Sequence, residues 1–155
     1  MEEPMRRKDR EIPDRAEIDR LLMEAPVCRL ALAAGDEPYL VPLSFGYDGK
    51  ALYLHSAPEG KKIAMIRKNP RCCFELDRYD GIVKGDRPCS WGMRYASVIG
   101  FGRAEILEDP AEKAYGLSCI MRHYDSGTHE FSDNEMKSVT VIRILIESMT
   151  GKKKE

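Results

Sequence analysis

The sequence contains no C-x-x-C pair, and its five cysteines, Cys28, Cys72, Cys73, Cys89 and Cys119, form an odd, scattered set. That argues against a disulfide scaffold and a zinc ribbon, and leaves buried free thiols as the simplest reading. Adjacent Cys72 and Cys73 would face opposite sides of a strand, so they would not grip one metal ion together. Long apolar runs are missing as well. None approaches the roughly 20 residues of a membrane span, so no membrane partner is expected. The start MEEPMRRKDREIPDR has no apolar signal segment, and a cytoplasmic protein is expected. Excess charge of either sign is also missing: 25 basic and 26 acidic residues leave a net charge of -1. No global electrostatic pull on nucleic acid follows, and the basic start and the KKK tail read as solvated arms.

Several catalytic signatures are absent too. No G-x-G-x-x-G follows the first strand, which removes a dinucleotide-binding fold where its signal should be strongest. No Ser, Cys or Thr sits in a recognisable nucleophile elbow. His55, His123 and His129 lack H-x-x-x-H or H-x-x-E-H spacing, so no metal site is expected.

What is present is a globular balance, with 155 residues, 43% hydrophobic and 33% charged, enough for one full core. The pattern divides into a charged arm over residues 1–13, one domain over 14–149 and a solvated basic tail over 150–155. Asp14 and Glu17 have capping-box spacing ahead of a helix that Pro26 ends. Strands are expected over 27–34, 39–47, 52–56, 71–77, 91–107 and 139–146, with a hairpin turn at Asp48–Gly49 and a loop over 78–88. Gly100 and Gly102 mark a bulge or a close approach in the long strand. Helices are expected near 59–68, from Asp109–Pro110 to about His123, and after Ser132, whose capping box closes on Glu135. Hairpin-linked strands with few helices predict a mainly β, α+β fold: an antiparallel sheet curled into a barrel, Greek-key-like.

The segment LYLHSAPEGKKIAMIR, residues 52–67, concentrates the chemistry. A strand ending in His55 runs through Ser56, Pro58 and Gly60 into a helix that starts with Lys61 and Lys62. Free N–H groups at a helix start, a hydroxyl, an imidazole and two ammonium groups suit a phosphate. A plain strand-to-helix corner with solvated lysines fits the same letters. Pro42 within the second strand removes a ladder donor, leaving backbone atoms of Val41, Leu43 and Ser44 open to a planar ligand, or simply marking an edge. Trp91, Arg94 and Tyr95 could cover an aromatic ring, or Trp91 could belong to the core. His123 fits a helix C-terminus or an active site.

Taken in order, VCRLALA, PYLVPLSFGY, LYLHSAPEGKKI, NPRCCFEL, CSWGMRYASVIGFGRAE and VIRILIESMTGK resemble the FMN-binding split barrels related to pyridoxamine 5'-phosphate oxidase, in the nitroimidazole-resistance-reductase-like branch. The resemblance implies a six-stranded antiparallel split barrel, a homodimer and FMN in grooves between subunits. It puts the FMN phosphate on His55, Ser56, Ala57, Gly60 and Lys62, with Lys61 beside it. Val41, Pro42, Leu43, Ser44 and Phe45 would run along the flavin ring, and Trp91, Tyr95, Ser97 and Val98 would border it, from the other subunit. Gly92 and Ala96 depart from the pattern and leave the substrate side less defined. Ser44, Arg29 and Arg94 are candidates for donors or charges tuning the flavin. The implied activity is oxidoreduction, with NADH or NADPH donating electrons to a small aromatic or nitro-type acceptor. A flavin-binding protein without turnover, or a barrel holding haem or a deazaflavin, are the alternatives.

Overall fold

The computed structural model describes residues 3–155. Eight strands and four α-helices follow in the order β1 (Glu11–Ile12), α1 (Arg15–Glu24), β2 (Cys28–Ala34), β3 (Glu37–Leu43), β4 (Gly46–Tyr47), β5 (Ala51–Ser56), α2 (Lys61–Lys68), β6 (Arg71–Val83), β7 (Gly92–Leu107), α3 (Pro110–Tyr124), α4 (Asp133–Lys137) and β8 (Thr140–Lys154). Period-two burial sets the inner face. Cys28, Leu30 and Leu32 of β2, Cys72, Phe74 and Leu76 of β6, Val98 of β7 and Ile142 and Ile144 of β8 all join one core. Cys73, next to buried Cys72, is only half-buried on the other face, as alternation requires.

All strand pairs are antiparallel, along the path β3-β2-β6-β7-β8-β5-β4, with β1 added to β8. The two ends of that path, β3 and β4, are consecutive in the chain, separated only by Ser44 and Phe45. A sheet whose first and last strands are joined by two residues must curl back on itself. No ladder joins β3 to β4, so the result is a barrel with one open seam, a split-barrel-like fold.

The count of six strands is corrected to eight. Residues 39–47 divide at Ser44–Phe45 into β3 and β4, and β1 forms where an arm was expected. Ile12 is buried and pairs with Gly151, so the N-terminal segment and the tail clasp each other. Residues 78–83 continue β6 rather than forming a loop, pairing with β7 up to Val83↔Gly92. The apolar alternation fades there because this part of the hairpin projects beyond the core, which removes the pattern but not the ladder. Lys152–Lys154 likewise lie in β8, and Lys153 reaches Glu17 at 2.7 Å. That ion pair explains why Glu17 does not complete a capping box. Asp14 caps α1 alone, accepting from the Ala16 N–H.

Gly100 faces the Phe74 ring, and Gly102 sits at a bulge over the Leu145 carbonyl. Both close approaches are to the protein's own atoms. Helices α1 and α2 add Ile18, Leu21, Leu22, Ile63, Met65 and Ile66 to the main core, and α3 packs in a second cluster with Tyr53 and Val141. Asp109 and Ser132 cap α3 and α4 as their spacing predicts, and the α4 box closes on Glu135. The C-terminal end of α3 is fixed where the chain crosses the seam. The Tyr124 hydroxyl accepts from the Phe45 N–H at 3.0 Å and donates to the Pro26 carbonyl at 2.8 Å. No helix among the described residues is long and apolar enough to cross a membrane.

Candidate functional site

The end of β5 delivers His55 and Ser56 to the corner that begins α2. Gly60 takes φ +138, a backbone conformation that L side chains rarely adopt, and this sets the entry angle of the helix. The helix therefore starts at Lys61, two residues later than its sequence pattern indicates. No side chain caps it and no acid lies in its first turn, so its leading N–H groups are unclaimed. Their partial positive charge attracts anions.

The two lysines differ sharply. Lys61 Nζ lies 2.5 Å from Glu37 Oε1 and 5.1 Å from the centre of the Tyr39 ring, so it is held by the start of β3. Its pKa is raised, chiefly by the hydrogen bond to Glu37. Lys62 is half-buried, has no ion-pair partner among the described residues, and burial alone pulls its pKa below the ordinary lysine value. A desolvated cation without a counter-ion is the group that gains most from an incoming anion. His55 is exposed, while the Ser56 hydroxyl is turned to the Ala57 carbonyl at 2.9 Å.

Pro42 lies on β3, which is an edge strand, so its missing N–H interrupts no ladder on the open side. Side chains of Tyr39, Val41 and Leu43 turn inward onto the core, and Pro42 and Ser44 stay exposed. Val41 and Leu43 can therefore meet a ligand only through backbone atoms. From Tyr39, beside Lys61, to Ser44 the strand and its continuation offer about 17 Å of open edge.

Pro42 sits opposite Arg29, which sits opposite Glu75, and Glu75 opposite Ile99, one row across the outer face. Arg29 bonds Glu75 at 3.2 Å and reaches Asp77 at 3.4 Å. Arg29, a candidate for tuning a flavin, is thus ion-paired to two acids on its own sheet. Desolvation, followed by a hydrogen bond with Asp77, raises the Glu75 pKa to about 7 despite Arg29. A carboxyl raised from 4.5 binds more proton in the folded chain than in the unfolded one. Its contribution to stability is therefore fully present below the unfolded value and is lost as pH rises through about 7. Glu75→Gln should flatten that loss. Urea unfolding at about pH 5 and about pH 8 should show the variant gaining on the wild type at the higher pH, by about 1 kcal/mol after solvent screening.

The β7 residues divide between faces. Val98 is fully buried in the core, so its side chain cannot border a ligand, contrary to expectation. Ala96 is buried too, so the departure there alters the core rather than a substrate wall. Ser97 faces out and lines a cavity of about 510 Å³ with Met5, Arg71, Ile99, Phe101 and Lys152. Tyr95 is half-buried, Arg94 is exposed, and Trp91 is 51% exposed at the tip of the projecting ribbon, not in the core. Tyr79, Ile82 and Met93 are exposed on the same ribbon. From β3 to β7 is three strand spacings, about 14 Å along the sheet. The Lys61–Glu37 pair joins the α2 start to the β3 edge, whereas β7 lies three strands from β3 and two from β5.

His123 is part of neither group. Its Nε2 lies 2.5 Å from the Ala25 carbonyl and its ring packs against Phe45 at 4.3 Å, tilted by 45°, so it fastens α3 to the end of α1. Sequence reasoning missed Glu37 and Tyr39. Their only signal was that a two-residue turn returns β3 along β2, and nothing local ties that strand to α2.

The sequence model of the pyridoxamine 5'-phosphate oxidase family matches residues 14–153. The chain belongs to that family. Among solved structures, this oxidase-family chain is similar to a candidate 5-nitroimidazole antibiotic resistance protein of Bacteroides thetaiotaomicron, at 36% identity. That match covers 92% of this chain and 85% of the other, with a TM-score of 0.83. It is similar to an FAD-binding protein of Mesorhizobium loti at 30% identity, over 94% and 98% of the two chains, with a TM-score of 0.70. A curated relative, an uncharacterized protein of Rhizobium meliloti (strain 1021), is 31% identical over 96 residues, which is 62% of this chain and 56% of that protein. The oxidase-family match spans both the α2 start and the β7 group.

Proposed function

We propose that this chain is an FMN-dependent oxidoreductase that works as a homodimer, passing electrons from NADH or NADPH to a small aromatic or nitro-type acceptor. The observation that carries the reading is Lys62, half-buried and without an ion-pair partner among the described residues, at an uncapped helix start beside an open strand edge. Those groups fit a phosphate monoester in charge and in donor type. Lys62 and the first N–H groups of α2 would hold it, with His55 and Ser56 beside it.

When bound, a flavin supplies the electron and hydride chemistry. The protein's part is to fix and shield it. Pro42 and Ser44 would border the ring along the β3 edge. Trp91, Tyr95 and Ser97, on a strand three away from the β3 edge, would come from the second subunit and exclude water from the ring. Dimerisation would also cover the apolar ribbon, including Tyr79, Ile82 and Met93. The Mesorhizobium relative favours FAD as the rival cofactor. FMN is preferred here because a terminal dianion matches one free lysine, one paired lysine and a helix start.

The test is the absorption spectrum of freshly purified protein, followed by anaerobic NADH or NADPH. The expected result is a flavin band, FMN on release by denaturation, and bleaching by one of the nicotinamides. A haem or deazaflavin spectrum would overturn the reading. Flavin that neither nicotinamide bleaches would favour a binding protein without turnover.

A further inference from the structure

The lysine pair carries a consequence beyond cofactor identity. We propose that Glu37 is a built-in competitor for the phosphate: it occupies Lys61, so that the cradle binds its ligand through Lys62 first and recruits Lys61 only by breaking an ion pair. The inference rests on the phosphate-cradle reading above and concerns a residue outside it.

The geometry assigns Glu37 this part. Lys61 is held between a carboxylate at 2.5 Å and an aromatic face at 5.1 Å, both supplied by β3, across the seam from β5. Lys62, the next residue, has neither kind of partner among the described residues. The Glu37 carboxyl is held below its ordinary pKa, first by its hydrogen bond to Lys61, so it remains an anion in competition with any ligand at neutral pH. Both side chains are about half exposed, so the pair can open without unpacking the core. A surface pair of this kind is weak enough to yield to a phosphate dianion, yet it lowers the affinity the bare cradle would have. Glu59 offers an internal comparison. It is exposed, lies two residues before Lys61 and has no ion-pair partner among the described residues.

The experiment titrates flavin-free protein with FMN and with riboflavin, which lacks the phosphate, by quenching of flavin fluorescence at low and high salt. Glu37→Gln should tighten FMN binding by about threefold to fivefold, the scale of a surface pair, and leave riboflavin unchanged. Glu59→Gln removes the same charge without freeing Lys61 and should give a smaller gain that high salt abolishes. In a Lys61→Met background, Glu37→Gln should give no gain beyond that of Glu59→Gln. The proposal is overturned if Glu37→Gln leaves FMN affinity unchanged or weakens it, or if Glu59→Gln matches it at both salt concentrations. If the wild type binds FMN no better than riboflavin, the phosphate-cradle reading itself fails, a result distinct from either of these.

Discussion

Replacing Lys62 with methionine is expected to weaken FMN binding by about tenfold to a hundredfold while leaving riboflavin binding where it was. A hydrogen bond to a charged group contributes about 1.5–3 kcal/mol, and each 1.4 kcal/mol is a tenfold change in affinity. Lys62 should sit at the upper part of that range because its cost is already present in the free protein: burial penalises its charge and nothing nearby offsets this. Lys61→Met should cost less, since that side chain must leave Glu37 before it can help. Equilibrium titration of both variants with the two flavins checks the order. Equal losses for the two lysines would contradict the division of labour read from the structure. Methionine keeps most of the aliphatic stem, so the packing of Ile63, Met65 and Ile66 beneath the helix is preserved.

Gly46→Ala is expected to destabilise the fold by about 3 kcal/mol, a fall in melting temperature of about 6–12 °C for a chain of this size. A methyl group there would lie 2.4 Å from the Cys119 carbonyl carbon and 2.5 Å from the Ile120 nitrogen. These are backbone atoms of α3, and backbone cannot move aside as a flexible side chain can. Lifting α3 would also strain the bonds that Tyr124 and His123 make beside Phe45 and Ala25. Calorimetry of the variant reads the effect directly. Gly35→Ala makes a useful contrast, because open space surrounds Gly35 and its cost is the φ of +62 alone.

Local chemistry explains which parts of this fold could be read from the letters. Period-two burial in β2, the short buried run of β5, the turn at Asp48–Gly49, and the caps Asp14, Asp109 and Ser132 each depend on residues within a few positions of one another. Asp48 even supplies the hairpin's own bonds, accepting from the Lys50 and Ala51 N–H groups. The corner from His55 to Lys62 was legible for the same reason.

What stayed hidden depends on distant partners. Residues 78–83 have no apolar alternation because they project past the core, yet their ladder with β7 is unbroken apart from a bulge near Asp80. Lys153 looked solvated because its partner Glu17 is far away in the sequence. The pairing of Lys61 with Glu37 was invisible because it spans the seam. His123 has the composition of a catalytic group and the contacts of a structural one, and only the Ala25 carbonyl and the Phe45 ring distinguish these.

The strand order also constrains how the molecule comes into being. Since β5 has β4 on one side and β8 on the other, with Ser56 opposite Thr140 and Ala51 opposite Leu145, the strand that leads into the lysine corner lacks one neighbour until residues 140–145 have been synthesised. During translation that half-built edge stays exposed while residues 57–139 are made. Cofactor capture should therefore await residues 140–145 rather than follow directly on synthesis of the lysine corner.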